Sequence, residues 1–139
     1  QFGLSNFTGT STLYKDNIIS GLASTKKRNL EHLGIDLNLE EQCQFVNASE
    51  YCEKNHIEYI DLLKIDTEGY EYEILKGASE NLKNIKIILF EHHYDDMIEK
   101  GYKFSDINNI LLKNNFKQIF KIKMPFRKTF EYIYLNKSY

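Results

Sequence analysis

The chain has 139 residues, 42% hydrophobic and 27% charged, with a formal net charge of −2 at pH 7, which is apolar matter enough for the core of one globular domain. The near-balanced charge excludes a global pull toward nucleic acid or an anionic membrane. No run approaches the ~20 apolar residues that cross a bilayer, and the polar opening from Gln1 to Tyr14 lacks the basic and apolar regions of a secretory leader.

In chain order, the stretch from Asn17 to Gln42 fits neither the helix nor the strand template: a basic trio, Lys26 to Arg28, is followed by Leu30, Leu33, Ile35, Leu37 and Leu39 at mixed spacing. His32 within it reads as a surface histidine. Cys43 and Cys52 match no zinc spacing without further ligands and read as two ordinary cytosolic thiols. Strands are expected at Gln44 to Asn47, Ile60 to Asp66 and Ile85 to Glu91, with helices at Ala48 to Asn55 and Tyr70 to Leu82. The nearly continuous run Ile60, Leu62, Leu63, Ile65 suits a strand covered on both faces. Beyond Gly69 the spacing becomes helical, with Ile74, Leu75, Ala78 and Leu82 on one side. Thr67 or Asp66 is the expected cap of that helix, and Glu71 and Glu73 are expected in solvent. A third helix, Phe104 to Asn114, precedes two strands, Phe116 to Lys123 and Thr129 to Leu135, joined by a turn at Met124 to Lys128. From Ile107 to Phe130 there are six basic residues and no acidic ones. They read as solvated lysines and arginine of a hairpin, not as a nucleic-acid groove.

The most informative stretch is Tyr59 to Ala78, because a strand that ends in Asp66-Thr-Glu-Gly69 sets charged groups at its carboxyl end, the edge where open α/β sheets bind ligands. If Ile60 to Asp66 and Ile85 to Glu91 are parallel neighbours joined by a helical crossover, then Asp66 and Glu68 share that edge with Glu91, His92 and His93. Asp66 is the strongest candidate for a catalytic group, with Glu68 as a second carboxylate and Glu91 or His92 as a general base. His93 and Tyr94 read as loop wall. The same acids with His92 and His93 also make an oxygen and nitrogen ligand set for a divalent metal, as in a metal-assisted hydrolase.

These residues resemble a known family. Asp61-Leu-Leu-Lys-Ile-Asp-Thr-Glu-Gly69, Glu73-Ile-Leu-Lys-Gly-Ala78 and Phe90-Glu91 are similar to the C-terminal half of FkbM-type S-adenosylmethionine-dependent methyltransferases, as are Gly3 to Tyr14, its hairpin after the third strand, and Ala48 to Tyr51, its short acidic helix. The resemblance implies a mixed α/β domain: a three-layer, Rossmann-like class I methyltransferase sheet that ends in an antiparallel strand pair. It implies S-adenosylmethionine as cofactor, with Gly3, Leu4 and Asp66 in contact with it, and a hydroxyl of a sugar, glycan or other small molecule as acceptor. It makes residues 17–42 a variable insertion over the active site. The family's glycine-rich cofactor turn has no counterpart here, since the glycines stand scattered at positions 3, 9, 21, 34, 69, 77 and 101. The sheet is therefore expected to be incomplete on its N-terminal side, lacking roughly three strands. The whole is expected to be one cytoplasmic domain without nucleic-acid or membrane partners. An exposed sheet edge could pair with another copy, and a non-catalytic, oligomerising remnant is the third reading.

Overall fold

The structure, a computed structural model, describes residues 1–18, 23–26, 28, 34–94, 98 and 100–139. Among the described residues, seven strands and three α-helices follow in the order β1 (Gly3–Ser5), β2 (Gly9–Lys15), β3 (Leu39–Asn47), α1 (Ala48–Lys54), β4 (Ile60–Ile65), α2 (Glu71–Gly77), β5 (Ile85–His93), α3 (Phe104–Lys113), β6 (Phe116–Lys123) and β7 (Thr129–Asn136). His32, Leu30, Leu33 and part of the 17–42 segment lie outside the described residues.

The strands form two sheets, in the orders β1-β3-β2 and β4-β5-β7-β6, so Gln44 to Asn47 does not join the sheet of Ile60 to Asp66. Both edges of β3 are occupied, by β1 in parallel and β2 in antiparallel. The segment resembling a hairpin, Gly3 to Tyr14, thus flanks β3 on its two sides. β3 begins at Leu39, earlier than its apolar pattern indicates, because polar cross-strand pairs extend it: Gln42 and Gln44 donate to Thr12 and Thr10 across the ladder, at 2.9 and 3.0 Å. At its end Asn47 caps α1, its side chain accepting from the backbone of Ser49 and Glu50 at 2.9 and 3.2 Å.

In the four-stranded sheet β4 and β5 are parallel, with Leu63 opposite Ile88 and Ile65 opposite Phe90. β7 runs antiparallel to β5, and β6 to β7. Because successive side chains alternate faces, Ile88, Phe90, Tyr132 and Tyr134 share one side, where they form a buried cluster with Ile74 and Leu75 of α2 and Ile107 and Leu111 of α3. The other side stays open: Leu62 is 55% and Phe120 58% exposed, so β4 is not covered on both faces.

α2 ends at Gly77, sooner than the expected Leu82. Leu82 is still fully buried, carried inward by a 3-10 turn, Leu82–Asn84, so the apolar spacing is met without continuing the helix. Gly77 marks a close approach, since a Cβ there would lie 2.6 Å from the Ser5 carbonyl carbon and closer still to its oxygen.

Candidate active site at the ends of β4 and β5

The loop after β4 is shaped by a buried acid. Glu71, in the first turn of α2, is 1% exposed, not in solvent. One carboxylate oxygen accepts from the backbone of Gly69 at 3.0 Å and from the hydroxyl and backbone of Thr67 at 3.2 and 3.4 Å; the other accepts from the Tyr102 hydroxyl. Burial and the neighbouring Glu71 hold the Tyr102 phenol far above its ordinary range, so it stays an O–H donor. Neither Asp66 nor Thr67 caps α2; its N-cap is Tyr70 and no side chain caps it. Gly69 takes φ +99°, and a Cβ there would collide with Ile98, so the tight turn requires glycine on two counts.

Three predicted site residues come together beyond the last registered pair, Ile65 and Phe90. Asp66, with its side chain 46% exposed, pairs with Lys64 at 3.2 Å. Glu68 sits at φ +52°, a left-handed conformation rare for a residue with a side chain. It is held there by Ser24, whose hydroxyl donates to the Glu68 carbonyl at 3.1 Å. Glu91, the third, follows Phe90 as Asp66 follows Ile65, and the Asp66 charge acts on it.

His93, read as loop wall from the sequence, is the hub. Its Nε2 lies 3.2 Å from Glu68 Oε2 and 3.2 Å from Glu91 Oε1, and its Nδ1 lies 3.0 Å from the buried Thr129 hydroxyl. Arg28 Nη2 meets the same Glu68 oxygen at 3.2 Å. The His93 contact, aided by the charges of Arg28 and Arg127, holds the Glu68 carboxyl below the usual range despite burial. Glu91 goes the other way: burial, then Asp66, Glu68 and Glu131, push its carboxyl up, with only His93 opposing. Glu131 stands directly across the ladder from it.

His92 is not part of this group. It points to the helix-covered face with Phe90, among Tyr94, Tyr102 and Phe104 at ring separations of 4.9, 5.9 and 5.7 Å. Burial, then Lys100 and His93, push its imidazole down to about 4, so it is neutral near pH 7 and a weak base. The signal was available in the sequence: the period of two that turns Phe90 inward turns His92 with it and places His93 beside Glu91. The unfolded chain therefore binds a proton at His92 that the folded one refuses. Stability supplied by His92 is whole above pH 6.5 and falls by about 3 kcal/mol as pH drops through 6.5 to 4. Denaturant titrations across that interval should show His92→Phe losing less stability on acidification than the parent. An equal acid loss in the two proteins would assign the sensitivity elsewhere.

The five-residue metal set is not assembled either: among the described residues no three His, Cys, Asp or Glu side chains converge in a ligating arrangement. His92 is turned away, and His93 Nε2 already lies between two carboxylates.

Beside the cluster opens a cavity of about 470 Å³ between the three-stranded sheet and the β4–α2 loop, within the roughly 300–1,000 Å³ span of small-molecule sites. Gly3 and Leu4 of β1, Phe45 of β3, and Asp66, Thr67 and Tyr70 of the β4–α2 loop all line it. Thus the residues expected to touch a cofactor border one space, with Asp66 common to the cavity and the charged group. Gly3 is needed for packing, since a Cβ there would come 2.8 Å from the Phe45 ring. Thr25, whose buried Oγ1 has no hydrogen-bond partner among the described residues, also lines it. Cys43 borders the cavity as a free thiol, while Cys52, also free, is buried in α1, where burial raises its thiol. No described helix is long and apolar enough to cross a membrane.

The methyltransferase FkbM domain covers residues 2–118, from the strand that lines the cavity through both strands that carry the acids. No curated protein and no solved structure matches. With most of its length inside the matched span, Asp66, Glu68, Glu91 and His93 included, the chain belongs to the FkbM family of methyltransferases.

Proposed function

We infer that the protein uses S-adenosylmethionine to methylate a hydroxyl of a sugar, a glycan or another small molecule, with the methyl donor in the 470 Å³ cavity and the proton-accepting groups at its Asp66 rim. The observation that carries this is the convergence of Gly3, Leu4 and Asp66 on one cavity that adjoins Glu68 and Glu91. The residues fit such a group: Leu4, Phe45 and Ile74 offer an apolar wall for a planar base, and the half-exposed Asp66 carboxylate suits an ammonium or sulfonium charge. The finer fold reading, a three-layer Rossmann-like sheet, is supported by the antiparallel β7-β6 pair and by the apolar face left open opposite α2 and α3.

When bound, the cofactor supplies a methyl group already activated on a sulfonium. The protein has two remaining tasks, to align the acceptor oxygen and to remove its proton. Asp66 orients the charged end of the donor, and the carboxylates beyond it receive the proton. Calorimetric titration of S-adenosylmethionine and S-adenosylhomocysteine into this chain, with the product of its whole gene as comparison, tests the reading. Saturable binding of both supports it; binding of neither to either protein defeats it. Asp66→Ala should weaken binding or transfer on the order of 10²-fold while stability moves within about 0.5 kcal/mol, as for an exposed side chain. Full function in that variant would remove Asp66 from the site.

A further inference from the structure

We propose that Glu68, His93 and Glu91 work as one proton-holding unit, in which Glu91 takes the proton from the acceptor hydroxyl and His93 is the residue that positions it. This rests on the methyl-transfer reading above and assigns the base within it. The geometry divides the labour. His93 is 4% exposed, too deep to meet a substrate, whereas the side chains of Glu68 and Glu91 are 26% and 16% exposed. Glu68 is committed as an anion by Arg28 and by His93 itself. Among the described residues Glu91 has no arginine or lysine ion pair; it feels the charges of Asp66 and of Glu131 across the ladder, and its carboxyl is raised above the usual range. It is the member best placed to gain a proton.

His93 can serve Glu91 in either charge state. Thr129, fully buried, presents a hydroxyl 3.0 Å from Nδ1 that donates to a neutral ring and accepts from a protonated one. Nε2 lies 3.2 Å from an oxygen of each carboxylate, so an imidazolium there is flanked by negative charge, and a neutral ring protonated at Nε2 keeps its N–H within reach of both. Glu68 can occupy this place only through its left-handed backbone, a strain that persists where surrounding contacts over-determine it; Ser24 and Arg28 supply them. In the reaction the hydroxyl O–H bond breaks as its oxygen bonds the methyl carbon. The carbon–sulfur bond breaks with its electron pair left on sulfur, and the proton passes to Glu91 and then to solvent.

The unit can be tested without knowing the acceptor. Among the described residues the charged groups facing it include Asp66 and Glu68 from the β4–α2 loop, Arg28, Glu131 on β7, Arg127 in the β6–β7 turn, and Lys100, which donates to the His93 carbonyl. A sulfonium arriving beside them should expel part of the shared proton; S-adenosylhomocysteine, lacking that charge, should not. Titrations at pH 7 in two buffers of different ionisation enthalpy count the protons. Release is expected to be greater with S-adenosylmethionine than with S-adenosylhomocysteine, and this difference should vanish in Glu91→Gln and in His93→Gln while each affinity stays within about threefold, as for side chains outside the cofactor cavity. A missing difference in the parent protein, or one that survives in both variants, overturns the proposal. Nitrogen NMR of the imidazoles in the ligand-free protein decides the unit separately from cofactor binding. Glu91→Gln should lower the pH at which His93 titrates by about one unit, through loss of the adjacent negative charge. An unchanged titration overturns the unit even where both ligands bind; a shifted titration with no binding of either ligand would leave the unit standing and defeat the cofactor reading.

Discussion

Glu71→Ala is expected to lower stability by about 3–5 kcal/mol, the cost typical of removing one partner from a buried charged network. The carboxylate satisfies donors from Thr67, Gly69 and Tyr102, and at 1% exposure no bulk water reaches the site to replace it. Truncation would strand those donors and release the loop that carries Asp66 and Glu68. A thermal midpoint lower by roughly 10–20 °C follows for a domain of this size. Glu71→Gln separates charge from packing: it fills the space but turns an amide donor toward Tyr102 or Gly69, so it should recover only part of the loss. A Glu71→Ala protein that melts within about 2 °C of the parent would show that the network contributes little and that the loop is held from elsewhere.

Gly77→Ala is the second large effect, and its sign is the informative part. In an exposed helix the change stabilises by about 1 kcal/mol, because alanine loses less backbone freedom than glycine. Here the added Cβ would overlap the Ser5 carbonyl and stand 3.0 Å from Asn6 Cα. Both obstacles are backbone, and neither can swing aside. β1 is tied at this point by its pairing to β3 and by the 2.8 Å contact between the Ser5 and Tyr70 hydroxyls. A loss of about 3 kcal/mol is therefore expected, the upper part of the overpacking range. Because β1 also lines the cavity, the variant should bind the methyl donor more weakly even below its melting transition. Denaturant unfolding of Gly77→Ala beside Gly101→Ala is the check. Gly101 has φ +73° but open space around it, so its substitution carries backbone strain without a clash. Stabilisation by Gly77→Ala would mean that β1 does not rest on α2 as described.

How well each element was legible depends on what holds it. The strand Phe116–Lys123 and the helix beginning at Phe104 follow from local spacing, because a hairpin and an amphipathic helix are fixed by contacts close in sequence. Asn115, in the left-handed conformation at φ +67°, ends that helix with a residue type suited to the turn. The strand β3 was legible only in its last four residues, Gln44 to Asn47: Thr10 and Thr12, thirty or more residues away, hydrogen-bond Gln44 and Gln42 and extend it. Leu62 shows the converse. An apolar residue in a continuous run suggests double cover, yet it lies on the open face, since a run records what a strand can bury and not what is there to bury it.

The candidate site divides the same way. Its location was written in the chain, because a strand ending in Asp66-Thr-Glu-Gly69 beside one ending in Glu91 must bring acids to a single edge once the two strands pair in parallel. Membership was not. Sequence spacing cannot say that Tyr102 reaches Glu71 and takes it out of solvent, nor that Thr129 and Glu68 secure His93 from two different elements while His92 turns into the aromatic core. Periodicity and motif determined the strand–helix–strand unit, its acidic edge and the family. Which titratable groups meet was decided only by the tertiary structure, because burial and charge contact act over a few ångströms of space between residues distant in the chain.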